Sequence, residues 1–393
     1  MVYEWGEEER GPDKRANQIY GMQVGADATL RTLQMHKARP YVAEKQADRV
    51  SVAYLSRAPQ KFAEGLASGS TVVQLNTLEA ISKWLVSAPK NKAVQVEAGA
   101  VELVTQLVTH ADVAVRERAT KVLAQLLTVY QGIQRGIACG VVPAILEAIE
   151  DPSAAARRNA HSTLQLIGQY PEGVDALVAA GAVTKLVAIC DSAGKGVEAQ
   201  SLHSLKFCLR SGVGLQEALL ANGVNVMVAN IAKQAALEES PEANAPLLQG
   251  YLAVLTLLTC PDEAKEEAIE AGAVPLLVDL LKHREGVVRT AATGGIISVC
   301  VSVRGKKEAF ELGAADILIA LLFARERAAL MLAVRAVGML AECKREVMST
   351  PLDGAFRATF DKALPQLLQL STSDDAVLAK CARDTQDSIT WRP

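Results

Sequence analysis

Aromatic residues make up only 4% of this 393-residue chain. A β sandwich fills its core with aromatic and β-branched side chains, whereas a chain poor in rings and rich in Ala, Leu and Val suits closely packed helices. Neither charge is in excess: 41 Lys and Arg stand against 44 Asp and Glu, a formal charge of −3. With no global positive field, nucleic acid is not an expected partner. Long apolar runs are missing as well. The longest, "AALMLAV" from position 328, stops at Arg335, far short of the roughly 18 residues of a membrane span. The start, "MVYEWGEEERGPDK", has neither a basic nor an apolar signal region, and Val2 excludes N-myristoylation, so the expected location is the cell interior, with no membrane partner. Seven cysteines include no C-x-x-C pair and sit mostly in apolar helical phrases, where they are expected to be reduced, small core residues.

The signatures of catalysis are absent too. The histidines, at 36, 110, 161, 203 and 283, show neither H-E-x-x-H nor zinc-ligand spacing. His161 and His203 fall in successive helices and are expected to be isolated polar positions on a stacked face. No G-x-x-x-x-G-K-[ST] loop occurs, and Arg304, Lys306 and Lys307, in "VSVRGKKEAF" on a turn between helices, read as a solvated helix start rather than a phosphate cradle. "GLASGS" lacks the strand-turn-helix context of a nucleophile elbow, and the carboxylates are scattered. The expectation is a chain that is not an enzyme and takes no metal, cofactor or small-molecule substrate.

What is present is repetition. "EAGAVELVTQLV" at 97 returns as "ACGVVPAILEAI", "AAGAVTKLVAIC", "ANGVNVMVANIA", "EAGAVPLLVDLL" and "ELGAADILIALL". Aligned on Gly99, Gly140, Gly181, Gly223, Gly272 and Gly313, the phrases recur about every 41 residues, the period of a HEAT or armadillo array. Each glycine is expected to turn the chain from one helix into the next in the left-handed conformation. Pro143 and Pro275 then fall in the first turn of the following helix, where a missing N–H costs nothing. A third helix follows, with apolar residues at i, i+3, i+4 and i+7. No unit buries that stripe alone, so each copy supplies the wall for the next.

Three helices per unit and a glycine corner resemble the armadillo repeat; HEAT, with two helices per unit, is the nearer alternative. The expected fold is all-α, a right-handed armadillo-repeat superhelix over 51–393. Degenerate capping repeats are expected at 58–86 and 362–389, an extended inter-helix loop at 233–246, and an extended arm over 1–50. The third helices would line the inner face, where one ladder holds Gln125, Leu166, Phe207, Leu257, Ser298 and Met339, and the position one turn earlier holds Lys121, Ser162, His203, Ala253, Gly294 and Arg335. The Asn and Trp ladder of peptide-reading import receptors is missing from these positions, which argues against cargo import by that mechanism. Lys121, Gln125, His203, Phe207, Arg210, Ser298 and Arg335 are the candidate protein-binding residues.

"SVRGKKEAFELGAADILIALL", "LAVRAVGMLAEC" and the ending "ITWRP" resemble the armadillo-type radial spoke proteins of cilia and flagella. The resemblance implies a non-catalytic scaffold of the axonemal radial spoke, with other radial spoke subunits as partners. An alternative is a soluble adaptor reading short linear peptides in transport or membrane traffic.

Overall fold

The computed structural model describes residues 57–192, 198–237, 241–342 and 353–390. The chain divides into Met1–Arg49 and Val50–Pro393, and every described residue belongs to the second unit. The arm expected over 1–50 lies outside the described residues. Among those residues every regular element is a helix.

A helix pair, α1 (Ala58–Leu66) and α2 (Thr71–Ser87), is followed by seven triplets. Repeat 1 is α3 (Lys90–Glu97), α4 (Ala100–Leu107) and α5 (Val113–Leu126); repeat 2 is α6 (Tyr130–Ala138), α7 (Val141–Ala148) and α8 (Ala154–Ile167). Repeat 3 is α9 (Pro171–Ala179), α10 (Ala182–Asp191) and α11 (Glu198–Cys208); repeat 4 is α12 (Gly212–Leu220), α13 (Gly223–Ala235) and α14 (Pro241–Leu258). Repeat 5 is α15 (Asp262–Glu270), α16 (Ala273–Leu280) and α17 (Gly286–Val299); repeat 6 is α18 (Val303–Glu311), α19 (Ala314–Leu321) and α20 (Arg327–Ala341). Repeat 7 is α21 (Asp353–Asp361), α22 (Leu364–Leu370) and α23 (Ala376–Thr390). Each third helix packs on the third helix before and after it, from α2 through α23. One apolar cluster runs from Ala58 to Ile389 because every stripe is closed by a neighbour.

The corner between first and second helices is left-handed at Gly99, Gly140, Gly181, Gly272 and Gly313, with φ between 73° and 82°. Repeat 4 corrects the sequence reading. There the left-handed residue is Asn222, φ 60°, and Gly223 is already the first residue of α13. Asparagine tolerates this conformation better than other residues with a Cβ. Gly223 is required for a different reason: a Cβ there would lie 2.6 Å from the Ala218 carbonyl oxygen.

Of the stretch 233–246, expected as an extended loop, the described residues are helical at both ends, and 238–240 lie outside the described residues. Helix α13 continues to Ala235 and α14 begins at Pro241. Their lengths, 13 and 18 residues, exceed the 8 and 14 of α16 and α17, so helix extension takes up the insertion. A proline at a helix's first position has no N–H to leave unsatisfied, which lets Pro241 start a helix within an acidic, loop-like sequence.

A second glycine series also went unread in the sequence. Gly132, Gly173 and Gly214 stand third in α6, α9 and α12, and a Cβ on any of them would collide with the carbonyl of Leu126, Ile167 or Cys208 at the end of the preceding third helix. In repeat 1 the same position is Asn91, whose side-chain N–H instead donates to the Trp84 carbonyl at 2.8 Å.

Two further expectations are revised. Of the six described cysteines, Cys190, Cys208 and Cys300 are buried, Cys139 and Cys381 are half-buried, and Cys260 is exposed at a helix end, so it is not a core residue. Arg304, Lys306 and Lys307 lie in the first five residues of α18, at a helix start as expected, but not all of them are solvated. Lys306 is buried and reaches Glu342 at 3.0 Å, while Arg304 pairs with Glu266 and Glu270. Arg304 is thus committed to the preceding repeat and Lys306 to the third helix of its own.

Candidate protein-binding surface

Third-helix side chains carry the candidate residues, and their exposure follows from helix geometry. The apolar stripe turns Leu126, Ile167, Leu258 and Val299 fully inward. The residue before each, Gln125, Leu166, Leu257 or Ser298, is half-buried at the edge of the seam. One turn earlier, Lys121, Ser162, His203 and Arg335 are exposed. Leu166, Leu257 and Met339 pack against the core from outside, so the apolar thread is shared between core and surface.

Lys121 and Gln125 meet in one cleft of about 680 Å³ lined by α2, α3, α5 and α8. Across it stand Lys92, Asn159, Gln165 and Gln169. The Gln125 side-chain oxygen is buried and has no hydrogen-bond partner among the described residues. Lys92 donates to the Thr128 hydroxyl at 2.8 Å. A neighbouring cleft of about 540 Å³ holds Glu79, Lys83 and Trp84. Lys83 bonds the Glu79 carboxylate and Arg118 lies 3.7 Å from it; with Lys121 near by as well, they hold the carboxyl below its usual range.

The remaining candidates are dispersed. His203 and Phe207 form an edge-to-face pair, ring centres 5.6 Å apart, and Phe207 packs over Gly168, where a Cβ would come within 2.8 Å of it. Burial and the nearby Lys206 hold the His203 imidazole below its ordinary pKa. Arg210 lies beyond the end of α11, in a separate cleft of about 280 Å³ with Tyr170 and Asp175. The Ser298 hydroxyl is engaged by Thr259 at 2.8 Å and by the Thr256 carbonyl, so it ties repeat 5 to repeat 4. Arg335 is exposed on α20.

His161 is not on this surface. It is buried between repeats 2 and 3, Nδ1 against the Ser204 hydroxyl at 3.1 Å, and burial, then Arg157, depresses it to about 4. Burial raises the Cys208 and Cys300 thiols to about 12. These strongly shifted groups converge on no cleft. Among the described residues no cluster of His, Cys, Asp and Glu is suited to hold a metal, and no single helix is long and apolar enough to cross a membrane.

The sequence reading missed Lys92, Gln165, Gln169 and Trp84. Trp84 stands one 41-residue step before Gln125 and was within reach of the repeat. Lys92 belongs to a first helix and enters the cleft only through packing.

The armadillo/beta-catenin-like repeat family matches residues 261–296, which span α15 and α16 and most of α17. Radial spoke protein 14 of Chlamydomonas reinhardtii is 27% identical over 266 residues, 65% of this chain and 67% of that protein. The crystal structure of an engineered protein superimposes with a TM-score of 0.72 at 22% identity, covering 86% of this chain and 79% of the other, a likeness of fold. A designed armadillo repeat protein gives a TM-score of 0.41 at 19% identity over 72% of this chain and 99% of its own. With its three-helix units, left-handed corners and continuous third-helix stack, the chain is an armadillo-repeat protein and a distant homologue of radial spoke protein 14.

Proposed function

We propose that this chain is a non-catalytic scaffold of the axonemal radial spoke, holding other spoke proteins on its armadillo surfaces and supporting ciliary and flagellar motility. The observation that carries the reading is the 27% identity with radial spoke protein 14 over 266 residues, a length of more than six repeats and therefore more than one shared motif. The third-helix face is consistent with it, offering positively charged, amide and apolar side chains in succession. The perturbed groups His161, Cys208 and Cys300 are sequestered inside the stack, where they serve packing. Expected partners are protein subunits of a large assembly.

The test is to express the tagged chain in a ciliated cell and extract the axonemes with detergent. Retention in the axoneme together with spoke proteins is the expected result. Release with the soluble fraction, in company with exchangeable peptide-bearing cargo, would favour the adaptor reading, for which the cleft around Gln125 is the specific support.

A further inference from the structure

We propose that the joint between repeats 2 and 3 is a hinge built into the stack, opening and closing on its third-helix side so that repeats 1 and 2 swing against repeats 3 to 7. The inference goes beyond the scaffold reading and is independent of which assembly the chain serves. Polar side chains line the joint where α8 meets α11. His161 Nδ1 lies 3.1 Å from the Ser204 hydroxyl, and the Gln165 amide reaches the same oxygen only at 3.5 Å. Gln200 occupies in α11 the place that Asn159 holds in α8 and Gly250 in α14, both turned toward the preceding third helix. His161 Nε2 and the Gln200 side-chain oxygen are buried without a hydrogen-bond partner among the described residues, and so is the Ser201 hydroxyl of the same helix.

The neighbouring joints are made differently. Between α5 and α8 the same two positions are bonded, Asn159 donating to the Thr120 hydroxyl at 3.3 Å. Between α11 and α14 they are Leu202 against Gly250, and Val254, one turn on, is fully buried. Opening an apolar joint exposes hydrocarbon to water, whereas opening this one hydrates polar atoms that are unpaired when it is closed, so its two states lie closer in free energy. On the first- and second-helix side the same two repeats are fastened. Lys185 of α10 pairs with Glu150 at 3.1 Å and donates to the Leu146 carbonyl of α7, and the Tyr130 hydroxyl of α6 donates to Glu172 of α9 at 2.7 Å. These ties supply the axis, and the under-bonded third-helix side supplies the gap.

The test is amide hydrogen exchange on the full chain, read by mass spectrometry. A short helix keeps its backbone bonds largely through tertiary packing, so opening of the joint registers as lost protection in the two helices that form it. Residues 161–167 and 201–208 are expected to be at least about tenfold less protected than 252–258 of α14 and 293–299 of α17. Placing there the side chains found at the same positions of other repeats, His161→Leu, Gln200→Ala and Ser204→Val, should raise protection of both segments at least about tenfold and leave 293–299 unchanged. Gln200→Ala alone, which removes one unpaired acceptor, should raise it about threefold and serves where the triple variant does not fold. Equal protection of all four segments in the wild type, no change in the variants, or an equal rise in every helix would overturn the hinge.

Discussion

At the level of single residues, the same chemical type does different work according to backbone and burial. Gly272, at φ 81° with nothing within 4 Å of a built Cβ, is present for its conformation alone. Gly272→Ala should therefore cost about 1–2 kcal/mol, and Gly272→Val more, because the left-handed region opposes any Cβ and β-branching most. Asn222→Gly should stay within about 0.5 kcal/mol of wild type, while Gly223→Ala costs more, since its Cβ meets a carbonyl; urea melts of the four variants would show the order. His161 gives a pH dependence. An unfolded histidine titrates near 6.5 and the folded one near 4, so as pH falls from 7 toward 4 the unfolded chain takes up a proton that the folded chain refuses, and stability drops. The loss should be roughly 2 kcal/mol between pH 7 and 5, and much of it should disappear in His161→Leu, since Leu202 and Leu252 fill the same position in repeats 3 and 4. Thermal melts of both proteins at the two pH values would decide it.

At the level of elements, an arginine fourth in the third helix fastens the preceding loop in three repeats. Arg116 donates to the carbonyls of His110 and Ala111, Arg157 to those of Asp151 and Pro152, and Arg289 to those of His283 and Arg284. These carbonyls follow a helix end, where intrahelical donors run out. In repeat 6 the position is Leu330 and the device is absent. Arg116 also binds the buried Asp151 carboxylate. Burial acts to raise that group, but hydrogen bonds from Arg116 and the Ser153 N–H outweigh it and hold the carboxyl below its usual range. Arg289→Leu should cost about 1 kcal/mol, and Arg116→Leu about 3 kcal/mol, because only the second strands a buried charge. Equal denaturation midpoints for the two variants would contradict this difference. The Asp151 contribution is lost only as pH falls below the ordinary carboxylate value, so it is separable from the milder acid response of His161.

At the level of the whole stack, one position on the third helix shows how the array is closed. It reads Thr120, His161, Leu202, Leu252, Thr293 and Val334 through repeats 1 to 6, all buried against the adjoining repeat. In the flanking helices it reads Glu79 on α2 and Arg383 on α23, both exposed. Gln386 and Asp387 likewise replace the buried Val337 and Gly338 of repeat 6. Polar terminal faces keep stacking from continuing between molecules. A chain ending after Glu342 should bare Val334 and Val337 and self-associate, while the same truncation carrying Val334→Arg and Val337→Gln should remain monomeric; light scattering on an eluting sample distinguishes the two.

The 41-residue beat by itself determined the three-helix unit, five of the six corners and the half-exposed ladder, because helix period and the need of each apolar stripe for a neighbour are written in every copy. It could not tell the two uses of glycine apart: Gly99 and Gly173 look alike in the chain, and only backbone angles and the nearness of the Ile167 carbonyl separate them. Nor could it show that the acidic segment after Lys233 extends two helices, since its polar residues suit a helix surface as well as a loop. The candidate surface was legible in part. Lys121 and Gln125 followed from the ladder, whereas Lys92 joins them from another helix, and Ser298 is withdrawn from the surface by Thr259. Periodicity fixes which residues share a face; which of them converge on one cleft depends on distances between helices far apart in the chain, and those only the tertiary structure decides.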